Sequence, residues 1–152
     1  MRDRFEQFTS AISSIHRFVQ KIERDEMEKY GLKGASAQYL LAMERYPDGV
    51  TAATLCDVCD RDKAAVSRIL AEMESKGLIY RIDNGENQYR ALLALTPAGQ
   101  EAADYVSRRA IIAVELAGQG LTDEDRKVMY TSLERIAANI QTMSREGIPE
   151  KE

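Results

Sequence analysis

The chain is short of the residues that most enzymes and metal sites are built from. It has one histidine, His16, and two cysteines, Cys56 and Cys59. A single histidine leaves little room for a Ser-His-Asp arrangement or a His-rich metal cluster, and no glycine-rich phosphate loop is present. The expectation is a protein that is not an enzyme and holds no cofactor and no metal. Two cysteines are too few for a secreted disulfide scaffold, so a reducing, cytoplasmic setting is the default. Long apolar runs are also missing. Nothing approaches the roughly 20 consecutive apolar residues of a membrane span, and the charged stretch from Met1 to Phe5 has no apolar run after it that would make a signal peptide. No membrane partner is expected. An excess of basic residues is missing too. The net charge is −4, and from Pro47 to Thr96 six Lys/Arg face eight Asp/Glu. Any binding of nucleic acid must therefore come from where cations sit, not from bulk charge.

What the chain does have is the balance of a globular protein, with 44% hydrophobic and 30% charged residues. Phe5, Phe8, Ile12, Ile15, Val19 and Ile22 recur at alternating steps of three and four, a stripe along one face of a helix predicted from Arg4 to Tyr30 and stopped by Gly31. A second helix is expected over Ser36–Tyr46, followed by a turn at Pro47-Asp48-Gly49. Thr51 can cap a third helix and Asp62 a fourth, which carries Val66, Ile69, Leu70 and Met73 and ends at Lys76-Gly77. The period then changes. Leu78 to Ile82 and Tyr89 to Leu95 read as strands around the turn dipeptide Asn84-Gly85, a β-hairpin. Thr96-Pro97 starts a fifth helix, running to Ala117. Thr122 caps a sixth, striped by Met129, Leu133, Ile136, Ile140 and Met143, and the tail after Gly147 is expected to be disordered.

Two short helices joined by a tight turn and followed by a hairpin make a winged helix-turn-helix. The expected fold is mainly α with a small β-hairpin wing. The reading lobe is predicted over residues 34–96, and the N- and C-terminal helices (1–30 and 98–146) form a dimerisation region. An α-helix fits the major groove of DNA and presents the side chains of its N-terminal half to base edges. With Val66, Ile69, Leu70 and Met73 inward, Lys63, Ala64, Ser67 and Arg68 fall on the outer face, and small Ala64 and Ala65 let the helix sit deep. Arg61 lies in the turn before it. The wing adds Arg81 and Arg90, with Asn84, Asn87 and Gln88 toward its tip. These residues are the candidate DNA contacts. The two stripes supply a candidate homodimer interface, from Phe5, Phe8, Ile12, Ile15 and Val19 on one side to Met129, Leu133, Ile136 and Ile140 on the other.

The run from Val66-Ser67-Arg68 through Met73-Glu74-Ser75-Lys76-Gly77-Leu78, and then Leu95-Thr96-Pro97-Ala98-Gly99, resembles the MarR (multiple antibiotic resistance regulator) family of bacterial transcription factors. The resemblance covers about Phe5 to Met143. It implies an obligate homodimer with interlocked terminal helices, binding to double-stranded DNA at pseudo-palindromic operators, repression, and often relief of repression by a small ligand. One departure stands out. Where the family usually has an Asp-x-Arg or Asp-Arg-Arg element in the wing, this chain has Asn87-Gln88-Tyr89-Arg90, with no acidic partner. The departure and the acidic balance leave a second reading open, a winged-helix interaction or antirepressor protein that has lost specific DNA binding.

Two further features admit more than one reading. Cys56 and Cys59 form a Cys-x-x-Cys that can be core packing, a redox pair or half a zinc site; the resemblance implies small apolar core residues there, and zinc needs about four ligands. His16, with Tyr39 and Met43, can line a pocket for a small aromatic ligand, or be an ordinary surface or interface histidine.

Overall fold

The computed structural model describes residues 2–82 and 91–148. Helix α1 spans Arg2–Met27, starting two residues before the predicted position, and at about 1.5 Å per residue it is roughly 39 Å long. Its last predicted turn, Glu28–Tyr30, is a 3-10 turn instead, closed by Gly31 in the left-handed conformation. Helix α2 (Ser36–Glu44) ends two residues short of the expected Tyr46. Helices α3 (Ala52–Cys59) and α4 (Lys63–Ser75) follow, then strands β1 (Ile79–Ile82) and β2 (Leu92–Leu95), and helices α5 (Pro97–Ala117) and α6 (Asp123–Glu146).

The strands pair antiparallel, with Ile79 opposite Leu95 and Ile82 opposite Leu92. A third segment joins them. Val50 and Leu93 exchange both backbone hydrogen bonds at 2.9 Å, which ties the α2–α3 connection to the wing. Sequence reading had only a turn there, because a single bridge residue leaves no period to detect.

The chain divides into two compact units, residues 1–110 and 111–152, and α5 runs across the division. This boundary differs from the expected split into residues 34–96 and flanking dimerisation helices. The reason lies in the core of the first unit. Tyr39, Leu40, Met43, Leu55, Val66, Leu70, Met73, Ile79 and Leu93 form its centre, but Met27 from α1 and Ala102, Ala103 and Val106 from α5 are buried in the same cluster. The inner ends of the helices assigned to dimerisation are part of the lobe's own core.

A polar cluster joins the same two helices. The Glu26 carboxylate accepts hydrogen bonds from Lys29 Nζ (2.6 Å), Tyr105 OH (2.7 Å) and Arg109 Nε (3.1 Å). Lys29 also donates to the Tyr105 hydroxyl. Charge-assisted hydrogen bonds of this kind are the strong ones, and first Lys29 and then Tyr105 hold the Glu26 carboxyl down at about 2.

The second unit holds the end of α5 and α6. Thr122 and Asp125 form a reciprocal capping box at the start of α6, and the Arg126 guanidinium donates to the Gly118 carbonyl at 3.0 Å, closing the turn between the helices.

Candidate nucleic-acid interface

The outer face of α4 is set by how its N-terminus is built. Thr51 caps α3 by accepting the Thr54 N–H at 3.1 Å. Helix α3 stops where Asp60 turns left-handed (φ 49°), with the Asp60 and Arg61 N–H groups returning to the carbonyls of Asp57 and Cys56. Two residues later Asp62 accepts the Ala65 N–H at 2.9 Å and starts α4. That backbone hydrogen bond is the main reason its carboxyl titrates below the usual range. The result is a three-residue turn between two helices.

From this start the 3.6-residue period decides what faces out. Val66, Leu70 and Met73 are buried, and Lys63, Ala64, Ser67 and Arg68 are exposed, as the pattern predicted. Ala65 is half-buried and lies at the edge of the face, not within it. Arg61 is exposed in the turn. Arg68 arches back so that its Nε lies 3.3 Å from the Ala64 carbonyl.

The wing is partly described. Arg81 is exposed on β1 but engaged: its Nε lies 3.2 Å from the Glu74 carboxylate near the end of α4. Sequence reading counted Arg81 as a DNA-facing cation and missed Glu74, because seven residues of separation across a turn give no periodic signal. Asn84, Asn87, Gln88 and Arg90 lie outside the described residues. Between α3, α4 and the base of the wing is a hollow of about 610 Å³, walled by Ala52, Ala53, Cys56, Asp57, Lys63, Ser67, Arg81 and Ala91.

A second concavity of about 540 Å³ lies against α1. His16, Gln20, Glu23 and Arg24 of α1 face Lys33, Gln38 and Arg61 across it. Gly34 lets the chain pass close: a β-carbon there would sit 2.9 Å from the backbone nitrogen of Arg24. Burial pushes the Glu23 carboxyl up, against the opposing pull of its hydrogen bond to Gln38 and of nearby His16 and Arg61. Of the three residues expected to form a ligand pocket, His16 lines this groove. Tyr39 and Met43 do not. Both are buried in the core, Tyr39 at 1% exposure, because they lie on the face of α2 that packs inward. The Tyr39 hydroxyl has no hydrogen-bond partner among the described residues. Gln38, Lys33 and Arg61 take their place in the lining, and only the fold of the α1–α2 connection and the α3–α4 turn brings them there.

The two stripes are exposed. Phe5, Phe8, Ile12, Ile15 and Val19 lie open along α1, Phe5 at 68% and Ile15 at 60%. Met129, Leu133 and Ile140 lie open on α6, with Ile136 half-buried. Among the described residues no group of three or more His, Cys, Asp or Glu is placed to hold a metal ion.

Residues 30–88, which span α2, α3, α4 and the start of the wing, match the family model described as MarR family. Over these residues the chain is similar to the MarR family. Members of this family are non-enzymatic transcription factors. The Bacillus subtilis (strain 168) protein YybA, an uncharacterized HTH-type transcriptional regulator, is 23% identical over 130 residues, which is 86% of each chain. Among solved structures, a putative MarR family transcriptional regulator from Listeria monocytogenes, complexed with a 26-mer DNA, superimposes with a TM-score of 0.79 at 23% identity, covering 95% of this chain and 97% of that one. A MarR family regulator from Silicibacter pomeroyi gives a TM-score of 0.71 at 25% identity, covering 86% and 87%. The MarR-type winged helix thus extends over chains of matching length.

Proposed function

We propose that this chain is a MarR-family transcriptional regulator that binds double-stranded DNA as a homodimer at a pseudo-palindromic operator and represses transcription there. The observation that carries the reading is the outer face of α4. Its N-terminal half exposes Lys63, Ala64, Ser67 and Arg68 while the opposite face is locked into the core. A helix held in this way can enter the major groove with two cations and two small residues foremost. The Listeria relative in complex with DNA supports the same use of the fold. The exposed apolar stripes support a second copy of the chain as the partner, since large apolar surfaces on one chain mark interaction sites. Two symmetric reading helices then meet successive major grooves.

The groove beside α1 is the natural place for release by a small aromatic ligand. Arg61 lines it and stands directly before Asp62, the residue that starts α4, so a ligand that draws on Arg61 also bears on the reading helix. No helix among the described residues is long and apolar enough to cross a membrane, which fits a regulator working on DNA in the cytoplasm.

The test is a titration of the protein against fluorescent duplexes drawn from the DNA flanking its own gene, at two salt concentrations. The expected outcome is saturable binding to a pseudo-palindromic fragment that weakens steeply with salt, because phosphate contacts release counterions. Binding to every duplex alike, or to none at low salt, overturns the reading and favours an interaction protein instead.

A further inference from the structure

Cys56 and Cys59 are three residues apart on the last turn of α3. On α-helical geometry their Cα atoms are about 5 Å apart, within the span a disulfide bridges, and they lie on one side of the helix. The two thiols have different surroundings. Cys56 forms part of the wall of the hollow between α3, α4 and the wing, beside Lys63 and Ser67. Cys59 does not line that hollow; it is half-buried and packs against the core cluster, as Cys56 also does. Neither thiol is fully buried in the core, and both are free.

The turn they occupy feeds the reading helix. The Cys56 carbonyl accepts the Arg61 N–H at 3.0 Å, and Asp60 and Arg61 lead directly into the Asp62 cap of α4. Cβ atoms three residues apart on a helix are about 5–6 Å apart, whereas a disulfide draws them to about 3.5–4.5 Å. Closing the bond must therefore contract the end of α3 by roughly 1–2 Å, and the hydrogen bond that positions Arg61 starts from the residue that moves.

We propose that Cys56 and Cys59 are a redox pair that closes an intrahelical disulfide when a hydroperoxide oxidises it, and that closure disturbs the start of the reading helix. Cys56, which lines the hollow, reacts first. Its thiolate sulfur attacks the peroxide, an S–O bond forms, the O–O bond breaks and the alcohol leaves with a proton. Cys59 then attacks the Cys56 sulfur, an S–S bond forms and water leaves. The two thiols lose two electrons and two protons, and the hydroperoxide is reduced to alcohol and water. Burial pushes the Cys59 thiol up, which suits the second, resolving position. The effect on DNA rests on the function proposed above; the disulfide and its effect on the turn do not.

The experiment treats the full chain with cumene hydroperoxide and follows three readouts: intact mass with mapping of the tryptic peptide between Arg45 and Arg61, amide hydrogen exchange over residues 60–66, and affinity for the DNA fragment selected above. The expected result is a loss of two hydrogens per chain, reversed by dithiothreitol, within one peptide and without cross-linked chains. Exchange at residues 60–66 accelerates, and DNA affinity falls by roughly tenfold. The variant C59S instead gains oxygen on Cys56 and keeps its slow exchange. Loss of no hydrogens, a disulfide between chains, or closure that leaves exchange at residues 60–66 unchanged each overturns the proposal. A reduced protein that binds no DNA overturns the DNA reading, while mass and exchange still decide the disulfide.

Discussion

The carbonyl oxygen of Leu78 occupies the space that a β-carbon on Gly99 would need, 1.8 Å from its ideal position. The first turn of α5 is thereby pressed against the chain leaving α4. Thr96 fixes the same junction: its hydroxyl donates to the Gly77 carbonyl at 2.6 Å and accepts the Gly99 N–H at 3.1 Å, and its own N–H reaches the Leu78 carbonyl at 3.0 Å. The Leu95-Thr96-Pro97-Ala98-Gly99 motif is thus a clamp between the wing and α5.

Gly99→Ala should therefore be among the most damaging small substitutions in the protein. No flexible side chain can give way, because the obstacle is backbone. A loss of roughly 3 kcal/mol or more is expected, visible as a lowered urea midpoint with an unchanged slope. A variant as stable as the parent would mean that α5 does not approach Leu78 this closely.

The Glu26 cluster predicts a pH dependence of stability. Its carboxyl is held at about 2, below the ordinary 4.5, so the unfolded chain binds the proton more readily. The stabilisation is complete above about pH 4.5 and is lost as pH falls from there toward 2. Glu26→Gln should cost roughly 2 kcal/mol at neutral pH, tempered by the solvent around Lys29 and Arg109, and should flatten the acid limb of the stability curve. Thermal melts of both proteins between pH 3 and 7 test this; parallel curves would contradict it.

Two substitutions test whether Arg68 contacts DNA and whether Glu74 restrains Arg81. Arg68→Ala should weaken binding to the selected fragment by roughly 1–3 kcal/mol if the arginine reads a base, with much less effect on random DNA. Glu74→Gln should act the other way, since it removes the carboxylate that engages Arg81. Affinity should rise a few-fold and the salt slope steepen by about one unit, as a further cation becomes free for phosphate. An unchanged slope in Glu74→Gln would show that Arg81 does not reach DNA even when released.

The stripes predict the oligomeric state. Ile12→Asp or Leu133→Asp places a charge in the middle of an apolar face that is open on one chain. Neither residue belongs to the buried core, so each variant should stay folded yet sediment as a monomer where the parent sediments as a dimer. A variant that remains dimeric would remove its stripe from the interface.

The order of the elements and the inward face of α4 are legible from local sequence. Both are local matters: caps such as Thr51, Asp62 and Thr122 sit within three residues of the groups they bond, and the spacing of Val66, Leu70 and Met73 is a property of one helix. The sequence also marked Leu95 to Gly99 as a motif, though not as a clamp, since the Leu78 carbonyl that makes it one is far away in the chain. The rest came from the folded arrangement. It put Tyr39 and Met43 in the core and Gln38, Lys33 and Arg61 around the groove of His16, joined Val50 to Leu93, engaged Arg81 with Glu74, and drew Met27 and Val106 into the lobe's interior. Each of these depends on segments that meet only once the chain has folded, and burial and pairing across such contacts leave no periodic trace in a single sequence.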